Sequence, residues 1–358
     1  MIRRYLSLRR AGVLGVNARN GRYIAVHNER RFYPIVDDKI RCKTALREHG
    51  IPVPALLDVV RTQYEAARLA RRIEPLEEFA LKPANGSRGD GIIVVGSRRN
   101  GLWVSPSGSS YYSLEDLQFH VSGILNGMYS LGGQPDTAFF EGLVHTDPRL
   151  RALAPEGVPD IRIIVYKGVP VMAMMRLPTR RSGGRANLHH GAIGAGIDLA
   201  TGRTLRAVMD DRLVDTHPDT GERVDGFEIP SWRDLLTLAS SCYAAVSLGY
   251  FGADIVLDRR HGPLVLELNV RPGLSIQIAN QCGLERRLNA VDAAHAEPRR
   301  LSAEDRVSLA LELAASAWSN ARRTAPAQHE PDPVEEENAG DGSPLGSDFV
   351  TKFARTAS

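Results

Sequence analysis

The chain has 358 residues, of which 43% are hydrophobic and 24% are charged, as is typical of a globular protein with more than one core. Its formal net charge of +3 is too small to indicate a nucleic-acid or membrane surface, so we expect neither partner. Three cysteines without a CxxC pattern argue against a disulfide scaffold and a zinc site, and no apolar run has the length of a membrane span or a signal peptide. These features predict a cytoplasmic protein.

The first half of the chain predicts three helices and a pair of strands. The first helix opens with Asp38 as its N-cap and stops at Gly50, and the second covers residues 62–72. The stretch "FALKPANGSRGDGIIVV" (79–95) is typical of two strands joined by a glycine-rich loop. The third helix is predicted over residues 114–128.

The second half predicts mainly strands, with one long helix. In chain order these elements are a short buried strand (138–144), two strands around Gly168 (160–178), a segment too rich in glycine to be regular (179–199), an apolar-periodic helix (232–248) and a hairpin (252–270). Helices mixed with antiparallel hairpins, without internal repeats, predict the α+β (mixed α/β) class.

The predicted hairpin carries polar residues at every second position of an otherwise apolar strand, "LVLELNVRPG" (264–273). If its turn is centred in "RRHG", Asp254 faces Glu267, and strand alternation puts Asn269 on the same face as Glu267. A cation would relieve the repulsion between opposed carboxylates, and hard oxygen donors favour magnesium over zinc. The alternatives are a solvated acidic face, or a one-residue slip in register that separates the pair.

A lysine and three glycines mark the loop "KPANGSRGDG" (82–91). Lys82 ends a buried strand and supplies a positive charge, and Gly86, Gly89 and Gly91 let backbone N–H groups point at phosphate oxygens. The loop joins two strands, so it is not a Walker A motif, which leads into a helix. An ordinary hairpin turn is the alternative, but only five of 45 basic residues are lysines, which makes a lysine here informative.

Other basic residues are candidates for binding an anion. Lys39 lies at the start of a predicted helix, whose positive end favours phosphate. Arg162, Arg176 and Arg185 lie in or beside the central strands. In a chain this rich in arginine, solvated side chains or structural ion pairs are the alternative for each of them.

Six motifs occur in a recognisable order: "DDK" with "GIPVP", "FALKPANGSRGDGIIVV", "FFEGLV", "DIRIIV", "MMRLP" with "GRANLHHGAIG", and "GADIVLD" with "GPLVLELNVRPGL". This order resembles that of ATP-grasp enzymes, and more narrowly that of α-L-glutamate ligase-like proteins related to the RimK-type ligases. The resemblance covers about residues 12 to 290. It implies the ATP-grasp fold, in which two α+β subdomains clasp ATP.

On this interpretation the chain has four parts. They are a shortened N-terminal region (1–37), a subdomain with a phosphate lid loop (38–140), a subdomain with metal and acceptor sites (141–321) and an acidic, proline-rich tail (322–358) whose composition predicts disorder. Because the N-terminal region is shorter than is usual in the family, a partner protein or a second subunit could supply substrate contacts. A homo-oligomer is compatible with this.

The resemblance implies a role for each matching residue. The phosphates of ATP would be held by Lys39, Lys82 and the loop glycines Gly86, Gly89 and Gly91. Adenine would be recognised by Glu141, Gly142 and Leu143, and the ribose side would be held by Asp160. Arg176, Arg185 and Asn187 match the segment that faces the transferred phosphate and the acceptor. Asp254, Glu267 and Asn269 match the magnesium ligands, the same trio that the hairpin pattern selects.

The implied activity is an ATP-dependent carboxylate-amine ligase that forms an amide through an acyl phosphate and releases ADP. The implied cofactors are ATP and Mg²⁺, as two ions, with Mn²⁺ as a substitute. The substrates would be a small-molecule or peptide carboxylate and an amine, glutamate among the candidates. A small-molecule kinase on the same scaffold and a nucleotide-binding regulator without turnover are the alternatives.

Two features bear on the substrates. Arg271 stands where the relatives usually carry a small residue, so it could bind a substrate carboxylate or pair with a neighbouring acid. His189 and His190 could supply a base for the amine, but local packing of one and solvation of the other is the favoured interpretation.

Overall fold

The computed structural model describes residues 7–86, 89–294, 300–316 and 318, so the predicted tail (322–358) lies outside the described residues. The strands are β1 Leu56–Val60, β2 Phe79–Pro83, β3 Ile93–Val95, β4 Ser97–Arg99, β5 Leu102–Val104, β6 Tyr111–Tyr112, β7 Ala138–Glu141, β8 Asp160–Tyr166, β9 Val169–Leu177, β10 Ile193–Ile197, β11 Thr204–Met209, β12 Arg212–Val214, β13 Tyr250–Asp258 and β14 Gly262–Asn269.

The helices are mostly short. A helical segment runs through Val16–Ala18, the π-helical Arg19–Ile24 and Ala25–His27, and 3-10 turns occur at Arg30–Phe32, Leu131–Gly133 and Leu188–His190. The remaining α-helices are α1 Tyr33–Asp37, α2 Lys39–Glu48, α3 Gln63–Ala67, α4 Leu69–Ile73, α5 Leu114–Leu125, α6 Pro148–Leu153, α7 Trp232–Val246, α8 Ile276–Ala279, α9 Glu285–Ala293 and α10 Ala303–Ala315. None of the helices in the described ranges combines the length and apolar character that crossing a membrane requires.

The strands form three antiparallel sheets. A four-stranded sheet has the order β1-β7-β2-β3, a seven-stranded sheet has the order β12-β11-β10-β9-β8-β13-β14, and β4, β5 and β6 form a small third sheet. This combination of helices with antiparallel sheets confirms the predicted α+β class.

Each of the two larger sheets has its own hydrophobic core. In the four-stranded sheet Phe79 and Leu81 pack in one cluster with Leu69 of α4 and Leu117 of α5, all of them fully buried. The seven-stranded sheet packs against α7 and α10, and its strands β9 and β13 are buried along their whole length. Since each fully buried large apolar side chain contributes about 1.5 to 3 kcal/mol, both sheets are rigid supports for the polar groups they carry.

The predicted helix boundaries are largely confirmed. The carboxylate of Asp38 accepts hydrogen bonds from the backbone N–H groups of Ile40 and Arg41, and Gly50 takes a left-handed φ of +69° just after the helix. The helix predicted over 62–72 is instead two helices, α3 and α4, with a break at Arg68.

The glycine-rich segment 179–199 contains a regular strand, β10, which the sequence analysis did not predict. A β-carbon on Gly196 would lie 2.3 Å from the backbone oxygen of Ala279, and one on Gly194 would lie 2.9 Å from a methyl group of Leu188. These glycines therefore allow helix α8 and its surroundings to approach the strand closely, rather than preventing strand formation.

Candidate active site

A row of charged side chains crosses four neighbouring strands of the seven-stranded sheet. Asp254 on β13 is paired with Glu267 on β14, as predicted, and on its other side with Arg162 on β8. Asp160, also on β8, is paired with Arg176 on β9. We call these five residues the acid row.

The Asp254–Glu267 pairing depends on a β-bulge. The bulge lies between Asp254 and Ile255 of β13. On the turn side of the bulge Asp258 pairs with Gly262, and on the other side Gly252 pairs with Asn269. The sum of the paired residue numbers is 520 at the turn and 521 at the acid row. One extra residue in β14 thus restores the predicted register and directs both polar side chains to one face.

Asp254 is the most fully engaged member of the acid row. Both of its oxygens accept hydrogen bonds from Arg162, over 2.7 Å from Nε and 2.6 Å from Nη2. Its Oδ2 also accepts from Nη2 of Arg176 at 2.8 Å and from Nδ2 of Asn269 at 3.0 Å. The side chain is 0% exposed. Asp254 therefore joins three strands through buried, charge-assisted hydrogen bonds.

Glu267 and Asn269 lie next to Asp254 but are only partly buried. The amide Nδ2 of Asn269 points at Asp254 and, at 3.4 Å, at Oε1 of Glu267. With its N–H groups directed at two carboxylates, the amide turns its carbonyl oxygen away from them. The predicted trio therefore converges, and Glu267 and Asn269 present the hard oxygen atoms that Mg²⁺ prefers.

Asp160 and Arg176 form a second buried pair. Both Nε and Nη2 of Arg176 donate to the Asp160 carboxylate, and both residues are less than a tenth exposed. The predicted roles, in which Asp160 contacts ribose and Arg176 faces the acceptor, stay predictions, and in this structure each of the two side chains is bound to the other. The reason is their strand pairing, which directs the two side chains at each other within the sheet.

The two buried carboxylates respond differently to their surroundings. Burial raises the pKa of Asp160 to about 6, and the negative charge of Asp254 adds to this, so together they outweigh Arg176. Burial also acts to raise the pKa of Asp254, but the guanidinium groups of Arg162 and Arg176 outweigh it and the net shift is downward. Asp254 is therefore the more firmly ionised of the two.

A second charged group, which we call the lysine cluster, joins Lys43 and Lys82 to Glu141. Nζ of Lys43 lies 2.8 Å from Oε2 of Glu141, which is an ion-pair distance, although the geometry does not meet that of a hydrogen bond. Nζ of Lys82 donates to Oε1 of the same carboxylate. Burial acts to raise the pKa of Glu141, but the two lysines outweigh it and lower it. With two positive charges and one negative, the cluster keeps a net positive charge.

Lys39 and the predicted lid loop lie beside the lysine cluster. Nζ of Lys39 donates to the backbone oxygen of Gly86, which forms a bridge with Ser130. Gly89 and Gly91 have φ values of +81° and +73°, which other residues rarely adopt. Residues 87 and 88 of this loop lie outside the described residues.

The predicted adenine hinge begins at the last residue of β7 and continues beyond the strand. Glu141, its first residue, is committed to the lysine cluster through its side chain. The N–H of Gly142 donates to the backbone oxygen of Ala55 at 2.8 Å, and Leu143 is half-buried. Of the three predicted hinge residues, Leu143 therefore has the backbone best placed for a ligand.

Arg185 and Asn187, predicted to face the acceptor, lie in the segment between β9 and β10. Nη1 of Arg185 is 3.5 Å from Asp90 in the lid loop, and its side chain is 45% exposed. Asn187 caps the 3-10 turn at Leu188–His190 by accepting from the N–H of His189 at 3.0 Å. Arg185 therefore brings the segment between β9 and β10 against the predicted lid loop, and the side chain of Asn187 stabilises the turn that follows it.

Helix α2 is common to the surroundings of the acid row and of the lysine cluster, because Lys43 belongs to this helix and its neighbour Cys42 interacts with Glu267. Burial raises the pKa of Cys42 in this helix to about 12, with Lys43 and Lys39 lowering it and Glu267 raising it. All three charged groups thus act on one buried thiol. Among the residues that the structure describes, no three His, Cys, Asp or Glu side chains form a group that could hold a metal ion.

Two members of the site were not selected from the sequence. Lys43 follows Lys39 by four residues, so it lies on the same helix face, and the scarcity of lysine could have singled it out. Arg162 was noted only as one of several arginines. No sequence signal identifies it as the partner of Asp254, because the order of strands β8 and β13 in the sheet is not readable from the chain.

Arg271 lies two residues beyond Asn269 and is exposed. Its guanidinium carbon is 5.4 Å from the centre of the Tyr33 ring, a cation–π contact. Burial raises the pKa of Asp37, and the positive charge of Arg271 opposes this increase. Arg271 is thus an exposed cation at the edge of the candidate site.

Comparisons with known proteins find similar chains among solved structures and one matching family model. Among solved structures, D-cycloserine synthetase DcsG is 15% identical over 72% of this chain and 68% of its own, with a TM-score of 0.39. The ATP-grasp ligase PsnB, bound to a precursor peptide and AMPPNP, is 14% identical over 76% of this chain but 61% of its own, with a TM-score of 0.38. D-alanine–D-alanine ligase from Bacillus anthracis is 14% identical over 80% and 69%, also with a TM-score of 0.38.

No curated protein shows a significant match to the sequence. None of these similarities tests the narrower resemblance to RimK-type ligases, which stays a prediction. A family model described as "Sugar-transfer associated ATP-grasp" matches residues 18–293, well over half of the 358 residues. The chain therefore belongs to the sugar-transfer associated ATP-grasp family.

Proposed function

We propose that the protein is an ATP-dependent carboxylate-amine ligase that forms an amide through an acyl phosphate. The observation that supports this best is the presence of two groups of opposite net charge beside α2, the lysine cluster and the acid row. The lysine cluster offers positive charge to a polyphosphate, while Glu267 and Asn269 offer oxygen atoms to the cation that accompanies it.

In this proposal Lys82 and Lys39 hold the phosphates of ATP, and the backbone at Leu143 recognises adenine. Glu267 and Asn269 hold Mg²⁺, with Mn²⁺ as a substitute. When bound, the ion neutralises negative charge on the terminal phosphates. Glu141 keeps Lys82 in place and prevents the ammonium groups of the cluster from repelling one another.

The chemistry needs no side-chain nucleophile. A carboxylate oxygen of the first substrate attacks the γ-phosphorus of ATP, and ADP leaves. The amine nitrogen of the second substrate then attacks the carbonyl carbon, and phosphate leaves with one former carboxylate oxygen while the ammonium proton is lost. Arg185, partly exposed and next to the lid loop, is better placed than the buried Arg176 to stabilise the charge that develops.

The substrates follow from Arg271 and from the family's description. An exposed guanidinium at the edge of the site fits a substrate with a carboxylate, such as glutamate or the end of a peptide. The description of the family as associated with sugar transfer adds sugar-linked carboxylates and amines to the candidates. Self-association stays a separate prediction, which light scattering on the purified chain would test.

The test is an ADP-release screen with ATP and Mg²⁺ over pairs of carboxylates and amines, including glutamate, peptides and amino sugars. ADP release should require both substrates, and mass spectrometry should find their condensed product. A stable phosphoester instead of an amide would indicate a small-molecule kinase. AMP with pyrophosphate would contradict the proposed chemistry, and tight ATP binding without turnover on any pair would indicate a regulator.

Lys82→Met separates a phosphate contact from a general effect of charge. We expect this change to weaken ATP binding by about tenfold or more, equivalent to ~1.4 kcal/mol, measured by calorimetry. The matched control is Lys167→Met, because Lys167 is also paired with an acid, Asp292, but lies outside the site. Equal affinities for the two variants would contradict the assignment of Lys82.

A further inference from the structure

Asp254 has little capacity left for a metal ion. A carboxylate offers about four lone-pair positions, and Asp254 already accepts four N–H bonds, three of them on Oδ2. Its side chain is 0% exposed, whereas Glu267 and Asn269 are partly exposed on the same face. A metal that coordinated Asp254 would have to displace buried, charge-assisted hydrogen bonds.

The charges of the acid row lead to the same conclusion. Asp160 and Asp254 carry two negative charges, and Arg162 and Arg176 carry two positive charges, so these four paired groups balance one another. A divalent cation at Asp254 would lie next to two guanidinium groups and be repelled by both. Glu267 is the remaining acid of the row, and no arginine among the described residues forms an ion pair with it.

Arg162 is held in its position by the sheet itself. It stands directly opposite Asp254 in the register of β8 and β13, and its fork of N–H groups meets the carboxylate in two parallel hydrogen bonds. Its side chain is only 12% exposed. Removing one partner of a buried pair is costly, so this arrangement persists when a ligand binds nearby.

Given the proposed function, on which this inference rests, we propose that the site binds one divalent cation per nucleotide, coordinated by Glu267 and the carbonyl oxygen of Asn269. In this arrangement Arg162 is a positioning residue. It keeps Asp254 as a buried counter-ion that orients the amide of Asn269, and together with Arg176 it leaves Asp254 little lone-pair capacity and no net negative charge for a second ion. This differs from the two ions that the family resemblance implied.

The experiment counts metal ions on the native protein. The whole chain is titrated with Mn²⁺ in the presence of AMPPNP, with bound Mn²⁺ measured by electron paramagnetic resonance and bound nucleotide by equilibrium dialysis. We expect one Mn²⁺ per bound AMPPNP and the spectrum of an isolated ion. Two ions per nucleotide, with a spin-coupled spectrum, would overturn the inference and leave the proposed function intact.

Two isosteric variants identify the ligand. Glu267→Gln should raise the Kd for Mn²⁺ by about tenfold or more, and Asp254→Asn should change it clearly less, because only the former loses a metal-coordinating oxygen charge. Equal losses in the two variants would overturn the inference. If Asp254→Asn fails to fold, as judged by circular dichroism, the ion count on the native chain decides by itself. Absence of AMPPNP binding to the native chain would overturn the proposed function, and the inference with it.

Discussion

At the scale of single residues, Glu141 determines how much positive charge the lysine cluster presents. Its carboxylate lies between the ammonium groups of Lys43 and Lys82, and both Lys43 and Glu141 are almost completely buried. Burial lowers the pKa of Lys43, which the charge of Glu141 opposes. Since a buried ammonium without a counter-ion is costly, Glu141 stabilises the fold as well as the site.

Glu141→Gln should therefore destabilise the protein by about 3 to 5 kcal/mol, because it leaves the buried charge of Lys43 uncompensated. Urea unfolding at pH 7 measures this. The double variant Lys43→Met with Glu141→Gln should lose less than the sum of the two single changes, since it removes both charges. Additive losses would mean that the two residues do not interact. The exposed pair Lys167–Asp292 is the control, for which Lys167→Met should cost at most about 1 kcal/mol.

Single residues also show what the sequence could reveal of the site. Lys39, Lys82, Asp254, Glu267 and Asn269 were identifiable because each has an unusual residue type for its place, such as an acid in a buried strand or a scarce lysine before glycines. The pairing of Asp160 with Arg176 was not identifiable. A motif indicates which residues occur together, but hydrogen-bond partners across strands depend on sheet register.

At the scale of elements, the β13–β14 hairpin carries the side chains proposed to bind the metal, and Asp258 stabilises the turn of this hairpin. The buried carboxylate of Asp258 accepts hydrogen bonds from the backbone N–H groups of His145, Arg260 and His261. Burial acts to raise the pKa of Asp258, but these hydrogen bonds outweigh it, so the pKa is lowered. The turn and the segment after β7 are thus joined by one ionised group.

Asp258→Ala should lower the free energy of unfolding by about 2 kcal/mol or more at pH 7, since it leaves three N–H groups without their acceptor. The pKa of Asp258 is lower in the folded chain than in the unfolded chain. Its contribution to the free energy of unfolding is therefore complete above the ordinary aspartate pKa near 3.8 and is lost as the pH falls through the pKa of the folded state. Urea unfolding between pH 7 and pH 3 should therefore show that the native protein and the variant differ less in free energy of unfolding as the pH falls. A constant difference would contradict the assignment.

Strand β10 illustrates how tertiary packing decides an element that its sequence obscures. Glycine is a poor strand former, so "IGAGI" predicts an irregular segment, yet here the absence of side chains lets helix α8 contact the strand. The bulge in β14 is similar. A turn centred in "RRHG" predicts the right pair, Asp254 and Glu267, but the extra residue in β14 that maintains this register could not be predicted.

Gly196→Ala tests this packing directly. The added methyl group would lie 2.3 Å from the backbone oxygen of Ala279, so either the strand or α8 must shift. We expect a loss of about 1 to 3 kcal/mol in thermal or urea unfolding. The control is Gly21→Ala, because an added β-carbon at Gly21 would have no other atom within 4 Å. No loss of stability is expected for this variant. Equal stabilities of the two variants would show that α8 does not pack against β10 in this way.

At the scale of the whole molecule, the candidate site uses side chains from two sheets with separate cores. The lysine cluster is carried by β2, β7 and α2, and the acid row by β8, β9, β13 and β14. The family resemblance predicted a phosphate-binding subdomain at 38–140 and a metal-binding subdomain at 141–321. This division stays a prediction, and Glu141 lies in the four-stranded sheet with Lys82. The resemblance could not predict that β8 lies beside β13, some ninety residues later, which makes Arg162 the neighbour of Asp254.

A nucleotide bound between these groups should stabilise both sheets together. At a ligand concentration of about 100 times Kd the stabilisation is ~2.7 kcal/mol, which slows exchange by local opening about a hundredfold. Hydrogen exchange with AMPPNP and Mg²⁺ should therefore show protection at the ends of β2 and β7 and in β13 and β14. The small sheet β4–β6 has no part in the site and should exchange at its original rate. Protection of one sheet alone would mean that the nucleotide does not bridge the lysine cluster and Glu267, because a ligand that contacts both must restrict the opening of both.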